Sequence, residues 1–261
     1  MIRAAFFDID GTLVSFRTHR VSASAHEALR ALRAAGIRLF LATGRAAAAM
    51  PQPVVELCDE GLFDGCVTFN GQYCYTADGT VLRDVPLDAR DVRTIVEKAD
   101  AGLFEIQVMQ LGRDFVNRRS ERVRRCEEEV GTRALELSLE HVWDEPVYQL
   151  CVFVDPGDEG VFADECISVA YTRWCDAFCD VIPADGGKPA GIAAVLEHFG
   201  IEPEECVAFG DGGNDISMFR CVGTSVAMGN ASDEVKAAAR HVAPHVDEDG
   251  IARACRDLGL I

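Results

Sequence analysis

Apolar positions along this chain fall into short unbroken blocks separated by stretches of helical spacing. The block from Arg3 to Ile9 reads as a strand buried on both faces. Next, Leu29 and Leu32 mark an apolar helical stripe, Ser24 and Glu27 have capping-box spacing, and Gly36 supplies the stop. Ile37 to Ala42 is a second buried strand. A helix is expected from about Arg45, disturbed by Pro51 and Pro53, and Cys66 to Asn70 reads as a third strand. "QYCYTADGTVLRD" reads as a hairpin that turns at Asp78-Gly79. Strands alternating with helices in this way imply a parallel sheet with right-handed crossovers.

The same alternation resumes late. Gly187 to Gly200 reads as a helix, Cys206 to Gly210 as a strand and Asn214 to Val222 as a helix. Thr224 to Met228 is a further short strand, and Asp233 to Ala243 a further helix. The middle differs. Helical pieces at Asp88–Gly102 and Ser120–Gly131 are mixed with strands at Phe104–Gln110, Tyr148–Val154 and Ala177–Pro183. The expected fold is α/β: a Rossmann-like doubly wound parallel sheet core over 1–84 and 186–261, with an inserted α+β domain over 85–185.

Composition narrows the partners. Among 261 residues, 43 acids against 25 bases give a net charge of −18. Such a surface repels nucleic acid and anionic membrane, so neither is an expected partner. An anionic substrate would then need a local positive site. Only three bases are Lys (Lys98, Lys188 and Lys236), so each is an unusual choice. The eleven Cys form no C-x-x-C pair and sit mostly in apolar stretches, as buried reduced thiols do. No signal peptide and no apolar run of membrane length is evident, so a cytoplasmic location is expected.

Four short motifs carry the candidate chemistry. Asp8-Ile9-Asp10-Gly11-Thr12 places two carboxylates at the C-terminal end of a strand, the edge where α/β proteins hold ligands. The pair reads either as solvated loop carboxylates or as a Mg²⁺ site, a hard cation that takes such oxygens. An EF-hand is excluded: no helix precedes Asp8, and the twelfth loop position is His19. Thr43-Gly44-Arg45 offers a hydroxyl and a close backbone approach; it is either a plain helix cap or a phosphate grip. Lys188 opens a helix, where its charge opposes the dipole; it is either a solvated Lys or an ammonium aimed at phosphate. In Gly210-Asp211-Gly212-Gly213-Asn214-Asp215, acids again follow a buried strand. Asp211 suits a metal, with Asp215 as helper and Asn214 as an orienting amide. A dinucleotide fingerprint is excluded, because no G-x-G-x-x-G is present. All four motifs fall at the strand ends of one sheet, or at a helix start beside it.

In that order the motifs resemble those of the haloacid dehalogenase (HAD) superfamily of phosphohydrolases. The insert is similar to the C2-type cap of its Cof-like sugar-phosphatase branch, as are Val226–Ala231 and Asp247–Ala252. Pro189 departs from that branch, which often has Gly there; Pro is tolerated in a first helical turn. The resemblance implies that Asp8 is a nucleophile forming an aspartyl-phosphate and that Asp10 is the general acid and base. It implies Mg²⁺ held by Asp8, the Asp10 carbonyl and Asp211, with Asp215 in support. It implies Ile9, Thr43, Gly44, Lys188 and Asn214 as phosphate-binding residues. The expected activity is Mg²⁺-dependent hydrolysis of the phosphomonoester of a small metabolite, a sugar phosphate in the first instance. A phosphosugar mutase and a non-catalytic phospho-accepting regulator are the alternatives; Asp10 argues against the regulator. His26 and His198 lie on expected helices away from the motifs, and Trp143 and Trp174 read as core packing. Substrate identity, the cap face turned inward and the oligomeric state are not legible.

Overall fold

A computed structural model describes residues 1–261. The chain opens with β1 (Ala4–Phe7), α1 (Ala23–Ala34), β2 (Arg38–Ala42), α2 (Gln52–Asp59), β3 (Gly65–Thr68) and the hairpin β4 (Tyr73–Thr76) and β5 (Val81–Asp84). There follow α3 (Ala89–Asp100), β6 (Glu105–Met109), β7 (Asp114–Val116), α4 (Glu121–Val130), β8 (Leu135–Glu136), β9 (Gln149–Phe153), α5 (Gly160–Ala163), β10 (Val169–Thr172) and β11 (Cys179–Pro183). The last part is α6 (Lys188–Phe199), β12 (Cys206–Gly210), α7 (Asp215–Arg220), β13 (Thr224–Ala227), α8 (Asp233–Ala238), β14 (His241–Val242) and α9 (Gly250–Asp257).

Two sheets result. The larger has the order β14-β13-β12-β1-β2-β3-β4-β5. It is parallel from β14 to β3 and antiparallel through the hairpin. Both faces are covered, which is why β1 is apolar at every position. Ala5 and Phe7 pack with Leu29 of α1 and Ile251 of α9, while Ala4 and Phe6 pack with Ile192 and Val195 of α6. Phe7 stacks on Phe209 across the strand pair, with ring centroids 4.8 Å apart.

The smaller sheet has the order β10-β11-β9-β6-β7-β8, antiparallel except for β7 beside β8. Its alternation decides what faces the core. Ile106, Val108, Leu150, Val152 and Val181 point away, into a cluster under α3. Gln107, Met109, Gln149, Cys151, Phe153 and Asp180 therefore point the other way, to the opposite face of the sheet.

Local expectations shift in several places. The α1 cap is Ser22, whose hydroxyl accepts from the Ala25 N–H at 3.1 Å, and not Ser24, which donates to Asp249 at 2.5 Å. The helix expected from Arg45 begins only at Gln52, after a single 3-10 turn at Ala47–Ala49, because Pro51 and Pro53 suit a first turn and not a helix interior. The third strand stops at Thr68; Phe69 and Asn70 turn left-handed, with φ of 50° and 52°. The helix from Asp233 ends at Ala238, and His241–Val242 leaves it to pair with β13. All eleven thiols are free. No helix is long and apolar enough to cross a membrane.

Candidate active site

β1 lies between β2 and β12, and the Asp8 N–H continues the ladder to the Phe209 carbonyl at 2.9 Å. The chain then turns sharply: Thr12, Leu13 and Val14 all direct their N–H groups at the Ile9 carbonyl. Gly11 makes this possible with φ of 77°; a Cβ there would stand 2.0 Å from the Asp211 carboxylate. The loop ending β1 is thus pressed against the loop ending β12.

Between the two loops lies a carboxylate cluster. Asp8, Asp211 and Asp215 each offer an oxygen within 4.8 Å of the others. Lys188 enters from the start of α6, fully buried, and its ammonium donates at 2.6 Å to both Asp8 and Asp215. Asp215 is further fixed by the Asp211 and Gly212 N–H groups, each at 2.9 Å. Asp211 accepts from Thr12 at 3.0 Å and from Asn230 at 3.0 Å. Three carboxylates against one ammonium leave an excess of two negative charges. Burial, opposed by Lys188 and reinforced by Asp215 and Asp10, pushes Asp8 up to about 7. Burial, reinforced by Asp8, Asp215 and Asp10, pushes Asp211 well above the carboxylate range. An all-oxygen donor set with two unbalanced charges fits a hard divalent cation. No backbone N–H takes the Asp10 carbonyl.

Asp10 faces a different partner. Arg45 grips both of its oxygens, Nε at 2.6 Å and an Nη at 2.8 Å, and anchors itself on the Ala49 carbonyl. Thr43 is buried, and its hydroxyl accepts from the Arg45 N–H at 3.1 Å. No helix starts at Thr43-Gly44, so the dipole expected there is absent. The Ile9 and Gly44 N–H groups nevertheless have no backbone acceptor.

Asn214 continues the site toward the cap. Its amide donates at 3.0 Å to Asn70, whose own amide donates at 2.9 Å to Gln149 and at 2.9 Å to Asp180. Gln149 also donates to the Gly44 carbonyl at 3.2 Å. Core and cap are therefore stitched together beside the carboxylates. They enclose a cavity of about 190 Å³, with Asp8, Asp10, Thr43, Gly44, Asp211 and Asn214 on its floor.

A family model described as haloacid dehalogenase-like hydrolase matches residues 5–255. The chain belongs to that family. A Streptococcus pyogenes protein provisionally named a bifunctional phosphatase/peptidyl-prolyl cis-trans isomerase is 32% identical over 265 residues; the match covers 100% of this chain and 54% of that protein. YkrA of Bacillus subtilis, provisionally named a phosphatase, is 30% identical, with 98% of this chain and 97% of that one covered. A solved HAD subclass IIB sugar phosphatase is 36% identical with a TM-score of 0.92, covering 99% of this chain and 100% of that one. A solved phosphatase of the superfamily from Bacteroides thetaiotaomicron is 34% identical with a TM-score of 0.87, covering 100% and 96%.

In this HAD-like hydrolase, further residues near the site were given no site role by the sequence. Trp174 packs against the cluster of Met109, Phe153 and Phe178, as core packing predicts, and also lines the cavity, its ring nearly parallel to Phe16 at 6.3 Å and edge-on to Phe178 at 5.4 Å. Trp143 is 46% exposed, under the Arg93 guanidinium. Asn70 carries its signal only in its neighbour, since Asn-Gly is a turn pair that tolerates left-handed backbone. Asn230 links the "GNA" loop to the site by donating at 2.8 Å to the Gly11 carbonyl as well as to Asp211.

Proposed function

We propose that this chain, a phosphatase of the HAD-like hydrolases, cleaves the phosphomonoester of a small metabolite through an aspartyl-phosphate on Asp8. The substrate is a sugar phosphate, a reading supported by the likeness to a solved sugar phosphatase. The observation that carries the reading is the floor of the cavity. There the buried Asp8 carboxylate lies with a second carboxylate, Asp10, and with Gly44, whose N–H has no backbone acceptor; the N–H of Ile9, next in sequence to Asp8, has none either.

Asp8 attacks phosphorus and holds the phosphoryl group. The Ile9 and Gly44 N–H groups, the Thr43 hydroxyl and the Asn214 amide receive its oxygens, so the charge that builds in transfer meets donors already aligned. Lys188 holds the Asp8 carboxylate in place from below and supplies positive charge to the phosphoryl oxygens. Asp10 gives a proton to the leaving oxygen and then takes one from the attacking water. Both Asp10 oxygens are bonded to Arg45, which leaves one lone pair on each for the proton in transit. Asp8, Asp211 and the Asp10 carbonyl, with Asp215 behind them, would hold Mg²⁺, which offsets repulsion between nucleophile and phosphate. Residues 85–185 serve as a cap that excludes water from the catalytic core formed by 1–84 and 186–261.

The test is phosphate release from a panel of sugar phosphates, nucleotides and flavin mononucleotide, with Mg²⁺ and with EDTA. Release that needs Mg²⁺ and is abolished in a folded Asp8→Asn variant is expected. Silence across the panel from folded, Mg²⁺-loaded protein would refute the reading.

A further inference from the structure

The cap wall of the cavity has a charge pattern of its own. Four carboxylates face it from the cap, Asp114, Glu127, Glu129 and Asp180, and not one Lys or Arg. The only cation lining the cavity is Arg45, and both oxygens of Asp10 already occupy it. Of the four acids, Glu127 is paired with Arg119 at 2.9 Å, and Glu129 sits exposed at the rim. The other two meet only neutral donors. Asp180, fully buried, accepts from Asn70, Gln149 and the Cys151 thiol at 2.9, 3.0 and 3.3 Å. Asp114 accepts from Gln107 at 2.6 Å. Burial pushes Asp180 up to about 6 and raises Asp114 as well; the cations that oppose this from a distance, Lys188 and Arg45, are directly paired with Asp8, Asp215 and Asp10 instead. Between them the wall is apolar and aromatic, with Met109, Phe153, Trp174 and Phe178.

We propose that the leaving group of the substrate carries no second anion and presents an amine to Asp114 and Asp180, so that amino-sugar monophosphates are preferred over their hydroxyl counterparts. This rests on the phosphatase reading above. A second phosphate or a carboxylate would enter a wall of like charge with no cation to receive it. An ammonium would find two undercompensated carboxylates and aromatic faces that attract cations. Neutral hydroxyls would bond to the same oxygens without relieving their charge.

The experiment compares kcat/KM for matched pairs on the intact protein with Mg²⁺. The pairs are glucosamine 6-phosphate against glucose 6-phosphate, and fructose 1,6-bisphosphate against fructose 6-phosphate; p-nitrophenyl phosphate is the generic ester. The amino sugar is expected to exceed its partner by about tenfold, and the bisphosphate to fall below its partner by about tenfold, each equivalent to ~1.4 kcal/mol. In Asp114→Asn, and in Asp180→Asn if it folds, the amine preference should shrink toward unity. Equal rates for the amino and hydroxyl sugars, or a preference for the bisphosphate, would overturn the inference while p-nitrophenyl phosphate turnover still upholds the phosphatase reading. No turnover of any ester would overturn both.

Discussion

Replacing Lys188 with Met keeps the bulk of the side chain and deletes the one cation paired with the cluster of Asp8, Asp211 and Asp215. The ammonium is wholly enclosed and makes two pairs at 2.6 Å, so the deletion orphans two buried carboxylates at once. Removing one partner of a buried pair costs about 3–5 kcal/mol. The upper end applies here, because Asp211 already crowds Asp8 and Asp215 within 4.8 Å. A loss of that size is a large share of the ~5–15 kcal/mol that holds a folded domain together. The assay is urea unfolding at pH 8, with EDTA and then with Mg²⁺. In EDTA the midpoint should fall sharply at an unchanged slope. Saturating Mg²⁺ should restore stability more in the variant than in the parent, because the cation meets one more unbalanced charge. A loss below about 1 kcal/mol in EDTA, or the same Mg²⁺ gain in both proteins, would refute the charge balance argued for the cluster.

Three further outcomes are expected. Burial raises Asp180 to about 6, so its contribution to stability is full below the unfolded value of about 3.9 and is lost as pH rises through 6; Asp180→Asn should gain on the parent by on the order of 2 kcal/mol between pH 4 and 7, and parallel stability profiles would contradict this. Arg45→Met frees both oxygens of Asp10 and should lower kcat by at least about tenfold through misplacement of the acid, with KM for the sugar phosphate little changed; a matching rise in KM would point to substrate binding instead. Trp174→Ala removes an aromatic wall and should raise KM by about tenfold while the far-ultraviolet spectrum is retained; an unchanged KM would place the ring outside the substrate's reach.

The motif residues were legible because their chemistry breaks a local rule: nothing in strand stability asks for Asp8 and Asp10 after four buried apolar positions. The parallel sheet was legible for the converse reason, since strands covered on both faces must be apolar throughout. What escaped depends on distance. Arg45 stood in a noted motif, but its partner lies 35 positions away, and no spacing rule connects them. Asn70 read as the last residue of a strand; its left-handed turn aims it at three partners, two of them in the cap. The inward face of the cap was hidden because β6 alternates Ile106 and Val108 with Gln107 and Met109, and either set could have faced the core until the packing of α3 settled it. Trp174 packs in the core as its sequence suggests, but its place in the cavity wall was hidden, because an aromatic near a cap suits either setting.

The scarcity of Lys gives the floor of the site a built-in reporter. Amine-selective reagents meet three side chains in this protein, and Lys98 and Lys236 are both half-buried yet accessible, whereas Lys188 is 1% exposed. Acetylation of Lys188 therefore requires its ammonium to leave Asp8 and Asp215 and reach solvent. Its rate, read against Lys98 and Lys236 in the same digest, measures how often the carboxylate cluster parts from its ammonium.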